Sequence, residues 1–93
     1  MARQRAVRLP FHAIQVNVTP EGREIIFPVK GEWYRMPWGR VPERFKELYV
    51  ALLRLQGARI PPELWKYARD DVKLGDLTIE LDLRYAERLE ERW

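Results

Sequence analysis

Cysteine is absent from the 93 residues, and so is serine. Without thiols there can be no disulfide, no Cys-ligated zinc, no iron–sulfur cluster and no cysteine nucleophile. The hydroxyl nucleophiles are reduced to Thr19 and Thr78, neither with an obvious base partner in its surroundings. Asn17 is the sole asparagine and His12 the sole histidine. Long apolar runs are missing too. The longest extends from Leu48 to Leu53, far short of the roughly 20 residues that a membrane span needs. The Arg-rich start is not followed by an apolar stretch of about 7–15 residues, so it does not read as a secretory signal. The expectation from these absences is a cytoplasmic protein without a membrane partner. The scarcity of thermolabile side chains, beside seven prolines and 33% charged residues, adds the expectation of a thermophilic source.

What is present suits a folded domain. Hydrophobic residues make up 46% of the chain, with four Trp, four Tyr and three Phe to fill volume. A chain of this length fits one domain and hides roughly 60–70% of its unfolded surface. Charge is uneven. Residues 1–46 carry nine Arg and Lys against four Glu, net +5, and residues 47–93 carry eight against ten acids, net −2. Such asymmetry suggests a basic face able to meet a polyanion. Arginine outnumbers lysine 13 to 4; its planar fork binds phosphate bidentately and stacks on rings.

Periodicity predicts strands in the first half. Val7, Leu9 and Phe11 alternate with polar residues or Pro10, then the phase changes and Ile14, Val16 and Val18 become the apolar set. A bulge or bend near His12–Ala13 accounts for the slip, and Pro10 suits a sheet edge. Thr19-Pro20-Glu21-Gly22 is a turn sequence. Ile25, Phe27 and Val29 form the return strand, and Lys30-Gly31 turns into Trp33-Tyr34-Arg35-Met36. Pro42 opens a helix whose stripe is Phe45, Leu48, Tyr49, Leu52 and Leu55, with Leu52 expected against the sheet; Gly57 closes it. Pro61-Pro62 opens a second helix with Leu64, Trp65, Ala68 and Val72 inward. Leu77, Ile79, Leu81, Leu83 and Tyr85 alternate with polar residues as a last strand, and Tyr85, Leu89 and Trp93 fall four apart, as on a short helix.

The fold expected is α+β: an antiparallel sheet of about four strands, in the order β-β-β-α-α-β plus a short C-terminal helix, with two helices packed on one face. It forms a single domain over residues 1–93, with an Arg-rich arm at 1–6 and an amphipathic helical tail at 86–93.

No constellation of catalytic residues stands out. His12 could be a general acid or base, as in a small ribonuclease, but a second acid–base group is missing. Asp70, Asp71, Asp76, Glu80 and Asp82 could gather around magnesium, yet they lack the loop spacing of a cation site. The five glycines do not build a phosphate loop. The expectation is therefore a non-catalytic protein without cofactor or metal.

One segment has a functional flavour. Between Lys30 and Arg40, two Trp, a Tyr and three basic residues occupy eleven positions. Single-stranded nucleic acids are held by that mixture, rings stacking on bases while cations follow phosphates. The candidate site comprises Arg3, Arg5, Arg8, Lys30, Trp33, Tyr34, Arg35, Trp38, Arg40 and Arg44. The function read from it is sequence-independent binding of RNA or single-stranded DNA. The alternative is a protein-interaction or oligomerisation module, a homodimer through the first helix and the tail with Trp38 and Trp93, or a small subunit of a larger complex. In the competing structural reading, Trp33 and Trp38 simply fill the core.

Overall fold

The computed structural model describes residues 6–89, so Arg3 and Arg5, and the tail beyond Leu89 with Trp93, lie outside the described residues. The chain forms a small α+β domain with two antiparallel sheets and one main helix. The strands are β1 (Ala6–Pro10), β2 (Gln15–Thr19), β3 (Gly22–Val29), β4 (Glu32–Pro37), β5 (Thr78–Asp82) and β6 (Glu87–Arg88). The helix, α1, spans Glu43–Leu55.

The change of phase after Phe11 is made by a 3-10 turn over Phe11–Ala13, and the strands on either side of it go to different sheets. β1 pairs with β5 in a two-stranded ribbon, whereas β2, β3, β4 and β6 form a four-stranded sheet in that order. The single sheet expected from alternation is thus divided. Alternation specifies which face of a strand is apolar, but not which neighbour it takes.

The meander from β2 to β4 is as the turns predict. Thr19 faces Gly22 across Pro20-Glu21, and Val29 faces Glu32 across Lys30-Gly31. In the second turn both central residues have positive φ, 52° for Lys30 and 83° for Gly31, the twist that a tight two-residue hairpin favours.

α1 lies between two apolar clusters. Phe45 and Leu48 enter the main core with Ile14, Ile25, Phe27, Met36, Val41, Ile79 and Leu81, which joins both sheets to the helix. Val50 turns to a smaller cluster with Ile60 and Leu64. Leu52 is only half-buried and belongs to neither, because the helix buries two flanks and the sequence pattern suggests one. Gly57 (φ 69°) ends the helix: its N–H donates to Arg54 O and that of Ala58 to Leu53 O, at 3.1 and 2.9 Å. That pair of bonds is the Schellman stop.

Two helical expectations are corrected. The second helix is a 3-10 segment over Pro62–Tyr67 that ends at Ala68 and does not run on to Val72. Arg69 Nε bonds Asp71 Oδ1 at 3.1 Å, and residues two apart cannot meet in this way on an α-helix. The tail is not helical over its described part. A 3-10 turn at Leu83–Tyr85 leads into β6, where Arg35 faces Glu87 and Tyr34 faces Arg88. Leu89 N–H then donates to Trp33 O at 2.8 Å. The edge of β4 offers backbone bonds, and two ion pairs fix the register: Arg35 with Glu87 at 3.0 Å, Arg88 with Glu32 at 3.1 Å. No helix among the described residues is long and apolar enough to cross a membrane.

Candidate nucleic-acid interface

The basic and aromatic residues of the Lys30–Arg40 segment do not share one surface. Tyr34 and Met36 face the core, and Tyr34 stacks on Phe27 with centroids 6.0 Å apart. Trp33 and Arg35 point to the other side, where Trp33 keeps 42% of its surface exposed and Arg35 is held by Glu87. Lys30 is exposed at its turn.

Trp38 turns inward. Its ring lies 6.2–6.5 Å from those of Phe45, Tyr49 and Tyr67, in edge-to-face geometry. Lys46, 6% exposed, brings its ammonium 5.3 Å from the Trp38 ring centre and 5.2 Å from that of Tyr67. This arrangement agrees with the core-filling reading of Trp38.

Arg40, two residues on, points the other way. Its guanidinium carbon sits 4.5 Å from the ring centre of Tyr85, which is 40% exposed. Arg84 approaches the same ring at 5.6 Å. No carboxylate among the described residues is bonded to Arg40. Arg84 is engaged by Asp82, its Nη2 2.7 Å from Oδ2; that carboxylate raises the guanidinium pKa above its ordinary value.

From Tyr85 the chain runs along β4, through β6, to the level of Trp33. Two exposed rings therefore bracket β6, and Arg40, Arg84 and Arg35 lie along the same strip, whereas Arg88, opposite Tyr34 and paired with Glu32, stands on the other face of the sheet. Tyr85 and Leu89 are four positions apart, which spans roughly 13 Å in extended chain. Arg84 and Tyr85 escape a sequence reading that ends the last strand on them and begins a helical tail there. The signal is there, however: Arg84-Tyr85 is the same basic–aromatic dipeptide as Tyr34-Arg35, reversed.

Arg8 and Arg44 lie elsewhere. Arg8 faces Glu80 across the β1–β5 ribbon, and Arg44 donates to the main-chain carbonyl of Asp76. The Asp76 carboxyl is held below its usual range, first by the Thr78 N–H and then by the Thr78 side chain, with Arg44 and Arg8 adding to the effect. The other acids are also separated. Asp70 pairs with Arg54 and Asp71 with Arg69, and the latter contact lowers the Asp71 pKa. Among the described residues, no three His, Asp or Glu side chains gather as a metal site would require. His12 is exposed in the turn between the two sheets.

No family model matches this sequence, no curated protein matches it, and no solved structure matches its fold. The class that fold and site define is thus a small α+β domain with a surface strip of arginines and aromatic rings.

Proposed function

We propose that this domain is a non-catalytic binder of single-stranded nucleic acid, RNA or DNA, with little sequence preference. The strand lies along β6, from Tyr85 to Trp33. The observation that carries the reading is the Arg40–Tyr85 contact: a guanidinium on an exposed ring, with no acid among the described residues bonded to it. A base stacks on a ring whatever its identity, and a nearby guanidinium takes the phosphate beside it. Arg84 and Arg35 are paired with acids, so they serve by exchanging a carboxylate for a phosphate. That exchange makes binding modest in strength and steeply dependent on salt. Trp38 is left out of the strip, because its ring is already engaged.

The test is quenching of tryptophan fluorescence by short oligonucleotides at low salt, with Trp33 as the reporter at the end of the strip. Arg40→Ala is expected to flatten the log–log salt dependence by about 0.7, one phosphate's share for a single strand. Tyr85→Ala should weaken binding by roughly 1–3 kcal/mol with little change in slope. Absence of quenching with both mixed-sequence RNA and DNA refutes the reading.

A further inference from the structure

β2 is the open edge of the four-stranded sheet: among the described residues its one strand partner is β3. Edge strands are usually guarded by a lysine or other charge, a proline, a bulge or a covering segment, since their free N–H and C=O groups invite another chain. β2 reads Gln15-Val16-Asn17-Val18-Thr19, with no charge and no proline. Val18 is 72% exposed, the most exposed of the large apolar side chains among the described residues. Its direction makes this more than a scattered surface valine. Val16 lies opposite Ile25 and Val18 opposite Arg23, so both valines stand on the face that forms the core. Val16 packs against that core, whereas Val18 extends past it and is largely exposed.

The strand is also its own complement. Placed antiparallel to a copy of itself with a two-fold axis at Asn17, it sets Gln15 against Thr19, Val16 against Val18, and Asn17 against Asn17. Apolar meets apolar and polar meets polar at every position, and no like charges oppose each other. Pro20, which has no N–H, ends the pairing on both sides.

We propose that β2 is a dimerisation edge, and that its occupant is the β2 of a second copy of this chain. Two four-stranded sheets then join into one of eight strands. Each exposed Val18 is covered by the partner's Val16, and the core faces run on across the axis. Such an interface is isologous, each copy using the same strand. It is independent of the nucleic-acid strip, which follows β6 at the opposite edge of the sheet. The two therefore succeed or fail separately.

The absence of cysteine supplies a clean experiment. Antiparallel neighbours hold their Cα atoms about 4.5–5.5 Å apart, within the range that a disulfide bridges. Asn17→Cys is expected to oxidise to a covalent dimer, whereas Glu21→Cys, in the turn beyond Thr19 and so more than about 13 Å from its counterpart across the same axis, is not. Five paired residues make a small interface of the weak, transient class, so sedimentation of the unaltered protein should show self-association only at about 0.1–1 mM. Val18→Lys, at a position already in solvent, is expected to remove that association without changing the circular dichroism spectrum. Cross-linking of both cysteine variants alike, or of neither, overturns the proposal. So does a dimer that survives Val18→Lys. Should Val18→Lys fail to fold, the cysteine pair decides alone.

Discussion

Trp38 and Tyr85 each meet a cation, and one three-residue turn supplies both contacts. The 3-10 turn Trp38–Arg40 sends its first side chain inward, to Phe45, Tyr49, Tyr67 and the Lys46 ammonium. It sends its last outward, to lie on Tyr85. Inside, the ring is closed over by other rings, and the cation is 6% exposed. Outside, ring and guanidinium both remain open to solvent. The inner pair is used up in holding 62–67 to α1, while the outer pair still has surface to offer a ligand. Proximity of aromatic and basic residues in a sequence is thus compatible with either a fastening or a binding site, and burial separates the two.

The contrast can be broken at its strong end first. Trp38→Ala removes the hub of the four-ring cluster and should cost about 3–5 kcal/mol, read by urea denaturation. Lys46 sharpens the point. Lys46→Ala loses stem and charge together, whereas Lys46→Met keeps a stem of similar length and forfeits only the cation–π attraction, roughly 0.5–2 kcal/mol. If methionine and alanine destabilise equally, the ammonium rather than the packed stem holds the cluster together. Tyr85→Ala, on the exposed side, should change stability by no more than about 0.5 kcal/mol. A large loss there would make the outer ring structural as well, and would undercut its assignment to ligand binding.

Acid should produce the smallest effect. Glu63, Asp71 and Asp76 have folded pKa values below their ordinary ones. For Glu63 the main cause is a backbone hydrogen bond, with Arg23 second; for Asp71 it is Arg69; for Asp76 it is the Thr78 N–H. A depressed carboxyl contributes stability that is fully present above its unfolded pKa and is lost as pH falls through the folded one. The melting temperature should therefore hold steady through neutral pH and decline only below the usual carboxylate range. The three groups lie exposed at the surface, so the decline should be shallow and weaker in high salt.

Much of the architecture was legible in the residues, and the failures have local causes. The meander from Gln15 to Met36 was readable because alternation and both turns agree. The helix was readable from Pro42 to Gly57, since its start, stripe and stop reinforce one another. Two things could not be read. Pairing of β1 with β5 is a choice of partner, which alternation leaves open. The tail was misread because Tyr85 and Leu89, four apart, satisfy a helical spacing, while the edge of β4 offers Glu87, Arg88 and Leu89 a ladder to join. The candidate site suffered from the same error. Of the ten residues singled out, Arg40, Trp33 and Arg35 fall on the strip, and the Tyr85 that completes it lay at the join between the expected last strand and the supposed helix.

The β1–β5 ribbon has a consequence for how the chain reaches its native state. Leu9 faces Ile79, 70 positions later, whereas the meander closes across turns of two residues. With a closure cost growing as (3/2)RT ln n, the ribbon carries on the order of 3 kcal/mol more entropic penalty than a hairpin. Nothing repays that cost until the apolar faces of β1 and β5 dock, so the rate of folding is set by a search over nearly the whole chain. Linking the last residue of the chain to the first through an engineered connection that leaves β6 intact, with new ends opened in the 68–77 segment, shortens that search. Such a permuted chain should refold faster than the natural order, as stopped-flow fluorescence would record, with the same native sheets at the end.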